Sequence, residues 1–144
     1  MLASIPLPAR VLGLAGLLPF WATAIAAAFG QGAWAAAGLQ AQIAYGAVIL
    51  TFLGGVHWGV ALRMEAVPSW ARLGWSVTPS LLGWAALLLP PLPALCLLAA
   101  GLTAALAVDL RTLGEPLAPG WYAALRRILT LGALASLFVT LLGR

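Results

Sequence analysis

The chain has 144 residues, 64% hydrophobic and only 7% charged, with seven arginines, no lysine and a formal charge of +4. A soluble domain carries about 25% charged residues, so this composition excludes a water-exposed globule and points to lipid as the solvent. The arginines form no basic stripe, which argues against nucleic-acid binding and leaves them the task of setting membrane orientation, and the single Cys96 excludes an internal disulfide.

A membrane helix needs roughly 20 residues to cross about 30 Å of hydrocarbon. Five apolar runs approach that length: Val11–Phe29, Ile43–Leu62, Leu73–Leu89, Pro93–Val108 and Tyr122–Leu142. They are rich in Ala and Leu without polar alternation, so they are helices rather than strands of a membrane barrel. The expected fold is all-α, a polytopic bundle of five transmembrane helices, with residues 1–144 forming a single integral membrane domain. The first run also has the makings of a secretory signal, with Arg10 before it and alternating alanines near Ala22–Ala28. Its generous apolar length favours a retained span.

The arginines orient these spans. Arg10 precedes the first. Arg63 and Arg72 flank the connection between the second and third, and Arg111, Arg126 and Arg127 flank that between the fourth and fifth. The connections Gly30–Gln42 and Pro90–Pro93 carry no charge, and only Arg144 falls on their side. Cytoplasmic loops hold the Lys and Arg, so the N-terminus is expected inside and the C-terminus outside. Arginine without lysine fits a GC-rich bacterial genome.

The second span carries Phe52-Leu53-Gly54-Gly55-Val56-His57-Trp58-Gly59. Ala47, Thr51, Gly55 and Gly59 recur every fourth residue, which sets small side chains along one face where a second helix can come close. With neighbouring Gly54, Thr51, Gly55 and Gly59 are candidates for helix packing, or for a groove that admits a lipid tail, quinone or pigment. His57 lies roughly 9 Å deeper than Arg63 along the helix axis, in the inner half of the bilayer, and shares a face with Gly54 and Ala61. An ionisable residue at that depth is a functional candidate, although one carbonyl or water satisfies a neutral imidazole.

In the third span, Trp75-Ser76-Val77-Thr78-Pro79-Ser80 places a proline inside a helix. Pro79 is a candidate helix break, with a carbonyl that Ser76, Thr78 or Ser80 could satisfy. The prolines at 90, 91 and 93 make a tight outer hairpin between the third and fourth spans. Asp109 ends the fourth span, and Pro116, Pro119 and Gly120 lead into the fifth. Asp109, His57, Arg63 and Arg126 are expected to form an inner-side polar cluster; the plainer alternative leaves Asp109 and Arg111 at the water interface. Trp34, Trp70 and Trp121 suit the interface.

One His, one Cys and two Met leave little for a metal or haem site, and Cys96 and His57 lie towards opposite ends of their spans. No nucleophile–base pair is visible, so neither catalysis nor a cofactor is expected.

The chain resembles an uncharacterised family of small multi-span membrane proteins that includes mitochondrial transmembrane protein sixty-nine. The likeness rests on Tyr45, on Phe52 to Gly59, on Trp75 to Leu81 with Trp84, on Asp109, and on Trp121-Tyr122 followed by Leu125-Arg126. It implies an integral membrane protein of the bacterial inner membrane or mitochondria, and it brings no agreed activity. The residues favour a non-enzymatic accessory or assembly component of a larger membrane complex, with lipid around it and a membrane-protein partner or a second copy beside it. The alternative is a small proton-linked transporter, or a lipid- or quinone-binding protein, using His57 and Asp109.

Overall fold

The computed structural model describes residues 5–64, 69–114 and 117–143. Pro116 and Arg144 lie outside them. The described residues are all-α, without strands: α1 (Leu7–Ala15), α2 (Leu17–Phe29), α3 (Gly32–Met64), α4 (Trp70–Leu88), α5 (Pro91–Thr112) and α6 (Gly120–Leu142). Among the described residues, four stretches are long and apolar enough to cross a membrane: Leu7–Phe29, Gly32–Arg63, Pro91–Thr112 and Gly120–Leu142. The remaining expected span, Leu73–Leu89, corresponds to α4. There Arg72, Ser76, Thr78, Pro79 and Ser80 dilute the apolar character of 19 helical residues.

Local chemistry explains the element ends. α1 gives way to α2 at Gly16, three residues before Pro19, whose missing N–H cannot bond the carbonyl of Ala15. α3 begins at Gly32, well before the apolar run that starts near Ile43, because Ala33–Gln42 is rich in good helix formers and holds no proline. Gly32 itself adopts φ +53, a left-handed backbone that suits glycine. At α4 the Ser69 hydroxyl caps the first turn by accepting from the Arg72 N–H at 3.2 Å. Pro91 opens α5, where a proline needs no intrahelical donor.

Two compact units emerge, one of residues 1–42 with 106–144 and one of residues 43–105. In the first, α2 packs along α6, with α1 touching both. Phe20, Ala24 and Ala27 form the buried face of α2. Glycines let the helices close: a side chain at Gly132 would meet Leu17, one at Gly143 would meet Ala28, and one at Gly38 would meet Ala26 and Ala27.

In the second unit α3 and α4 run antiparallel in close contact. Gly83 sits on the backbone of Ala47, and Gly54 sits on the carbonyl of Ser76 and the ring of Pro79. The buried face of α3 is Ala47, Leu50, Gly54, His57 and Ala61, spaced by three and four residues. α5 adds Leu98 against Gly46, and Gly101 against Leu50. Pro79 lies inside a continuous α4. The hydroxyls of Ser76 and Thr78 donate to the carbonyls of Leu73 at 2.6 Å and Gly74 at 2.8 Å, one turn back in each case.

Candidate functional site

Polar groups inside a membrane protein are costly, so the buried ones define the candidate site. Within the first unit they gather on the buried face of α6. That face carries Arg126, Thr130, Ser136 and Thr140 among Leu125, Ala133 and Leu137. Arg126 lies six residues into the helix, roughly 9 Å along its axis from Gly120, and Thr140 lies about 21 Å further.

The near end holds an ion pair. Arg126 donates its Nε–H to Asp109 Oδ2 at 2.6 Å, and both side chains are buried. The Tyr122 hydroxyl donates to the same oxygen at 3.2 Å. Tyr122 and Arg126 are four residues apart on α6, so one face of one helix presents both donors to an acid near the end of α5. Two donors on one carboxylate oxygen keep the charge compensated where water cannot.

The far end holds a neutral clamp. The Thr140 hydroxyl donates to Gln42 Oε1 at 2.6 Å, with a longer contact to the Ser136 carbonyl at 3.3 Å. Gln42 and Thr140 are both fully buried. Between the ends, three buried polar atoms find no hydrogen-bond partner among the described residues: Arg126 Nη2, Thr130 Oγ1 and Gln42 Nε2. An unmet buried donor costs about 1–3 kcal/mol, so such a stripe is an expensive way merely to pack a helix.

The second unit holds His57, 1% exposed, on the α3 face that meets α4. Its ring lies edge-on to Trp75, with centroids 6.5 Å apart and planes at 85°. Gly54 belongs to this packed face. Thr51, Gly55 and Gly59 lie on a different, exposed face of α3, and a side chain added at Gly55 or Gly59 would meet nothing within 4 Å. Thr51 spends its hydroxyl on the Ala47 carbonyl at 3.0 Å, so this open stripe is small and apolar. Phe52 and Trp58 flank it and are also exposed.

Of the four residues expected to cluster, Asp109 and Arg126 are paired in the first unit, while His57 and Arg63 belong to the second. Arg126 is inside α6 and buried rather than at a loop edge, because Asp109 neutralises it there. Sequence reasoning missed Gln42, Tyr122, Thr130, Ser136 and Thr140. The available signal was the spacing of Arg126, Thr130 and Thr140 at helical intervals in an otherwise apolar span. Among the described residues no group of three His, Cys, Asp or Glu could hold a metal ion. An apolar crevice of about 290 Å³ lies between Ala22–Ala26 and Trp34–Ala41. Its Thr23 bonds the Pro19 carbonyl at 2.7 Å, so the crevice suits a hydrocarbon chain better than a polar ligand.

Residues 5–142 match a family described as "Protein of unknown function (DUF3429)". The chain is 44% identical over 141 residues to transmembrane protein 69 of Xenopus tropicalis, an alignment covering 95% of the chain and 54% of that protein. Against transmembrane protein 69 of Mus musculus it is 38% identical over 141 residues, covering 95% and 56%. It therefore spans just over half the length of these relatives. No solved structure matches it.

Proposed function

Starting from a chain that belongs to the DUF3429 family of membrane proteins, we propose that it is a non-enzymatic accessory or assembly component of a larger membrane complex. The observation that carries this reading is the open stripe Thr51, Gly55 and Gly59 on α3. Small residues four apart let two helix backbones approach closely, and in lipid that contact is a main source of helix association. The occupant is one transmembrane helix of a partner protein. Isolation of tagged protein from its own host's membranes in mild detergent tests the reading. A stoichiometric partner, lost in Gly55→Leu and Gly59→Leu, is expected. A chain that purifies alone in every mild detergent contradicts it.

The proposal includes five spans, an inside N-terminus and a bacterial inner membrane. What supports α4 as a span is its outer face. Val77, Leu81, Trp84 and Leu88 are exposed at helical spacing, a surface that water would disfavour and lipid accepts.

A second reading, a small proton-linked transporter or a lipid- or quinone-binding protein, draws on buried His57 and Asp109. Proteoliposome flux lost in His57→Ala supports it, and flux indifferent to that change removes His57 from such a mechanism.

A further inference from the structure

We infer that the buried face of α6 from Arg126 to Thr140 lines a seam that opens to admit water, and other small neutral hydrogen-bond acceptors, into the membrane interior. The seam belongs to the first unit alone and does not depend on the docking stripe of α3. Three observations converge on it.

The first is chemical. Arg126, Thr130, Ser136 and Thr140 occupy the buried face of a helix whose other buried positions are Leu and Ala. Two of those side chains, and Gln42 opposite Thr140, keep a polar atom that nothing in the closed arrangement satisfies. All three atoms can donate a hydrogen bond, so what they call for is an acceptor.

The second is electrostatic. Asp109 already cancels the charge of Arg126. An anion entering beside them would leave an uncompensated negative charge in a low-dielectric interior. A neutral acceptor carries no such penalty, and water is the smallest one at hand.

The third is mechanical. α6 packs against α1 and α2, which follow one another through Gly16 in helical backbone, with Pro19 unable to bond the Ala15 carbonyl. The closing contacts are small groups against leucine ends: Gly132 on Leu17, and Gly13 on Leu125 and Leu129. A bend at Pro19 can part these contacts and open the side of α6 that carries Ser136, while the Asp109–Arg126 pair, made by α5 and α6, stays whole.

Cysteine accessibility in native membranes tests the seam. In a Cys96→Ser background, Thr130→Cys and Ser136→Cys are treated with N-ethylmaleimide, beside Leu131→Cys facing lipid and Ser69→Cys as an exposed reference. A thiol reacts through its thiolate, which forms in water and not in hydrocarbon, so the seam thiols should label about tenfold faster than the Leu131→Cys thiol. If neither reacts while the Ser69→Cys thiol labels fully, the seam stays dry and the inference is overturned. Hydrogen exchange on the unmodified protein decides the matter should either seam variant fold poorly. Amides of residues 126–140 are expected to exchange well ahead of those of residues 94–105, and equal protection of the two segments overturns the inference as well.

Discussion

Asp109 and Arg126, seventeen residues apart in sequence, share a 2.6 Å charged hydrogen bond with both side chains out of reach of water. The pair ties the end of α5 to the second turn of α6. Its worth lies less in attraction than in the cost of separating the two charges. Asp109→Asn leaves Arg126 charged and buried without its counter-ion, a change that costs about 3–5 kcal/mol in comparable sites. A drop in thermal midpoint in detergent is the expected outcome. Replacing both partners, as Asp109→Leu with Arg126→Met, removes the buried charges together and should recover much of the loss. An unchanged midpoint in Asp109→Asn would mean that the carboxylate compensates nothing.

Gln42 and Thr140 form the second clamp, and its two halves are unequal. Thr140→Val leaves Gln42 buried with both ends of its amide unmet, and should cost about 1 kcal/mol, near the range measured for hydrogen bonds between membrane helices. Gln42→Leu instead removes the acceptor together with the orphaned Nε2 donor. It should be close to neutral, since Thr140 retains the Ser136 carbonyl. Thermal unfolding of the two single variants side by side separates these outcomes.

Adjacent glycines on α3 should behave in opposite ways. A methyl group at Gly54 collides with the Ser76 carbonyl and the Pro79 ring, whereas one at Gly55 meets nothing. Gly54→Ala forces α3 and α4 apart and should cost about 1–3 kcal/mol. Gly55→Ala should fold as the wild type does, with the small gain in helix propensity that alanine brings. Equal midpoints for the two variants would contradict the close α3–α4 contact.

Reading α4 as a span makes a prediction about sidedness. If α4 crosses the bilayer, reporters fused after Leu89 and after Leu142 report the same, outer side, and one inserted between Met64 and Ser69 reports the cytoplasm. If α4 lies on the surface, the fusion after Leu89 reports the cytoplasm along with that after Met64. The arginines at 10, 63, 72 and 111 favour the first pattern.

Hydropathy made the helical character and most of the helix positions legible, because uninterrupted Ala and Leu leave the backbone no better arrangement in lipid. The start of α3 at Gly32 was not legible in the same way, since Ala33–Gln42 is helical by propensity and carries no strong apolar signal. Asp109 and Arg126 were expected in one polar cluster, but the sequence could not say which of its members pair, because that depends on how the helices pack. His57, Gly54 and Ala61 were rightly placed on one face by helix geometry. Which of Gly54 and Gly55 meets α4 depends on helix rotation. The two lie about 100° apart on the helix, and only the partner decides between them. The polar stripe of α6 went unread because Thr and Ser are common in membrane helices, where they often bond their own backbone, as Thr23, Thr51 and Thr103 do here.

The most direct test of a docking role is photo-crosslinking in native membranes. A photoreactive residue is placed at Phe52, beside the open stripe, and in a separate variant at Leu131, which is equally exposed on α6. The account predicts a discrete heavier adduct from the Phe52 position, containing one other membrane protein, and lipid adducts alone from the Leu131 position. Lipid adducts alone from both positions, or an adduct of the chain with a second copy of itself, would contradict it.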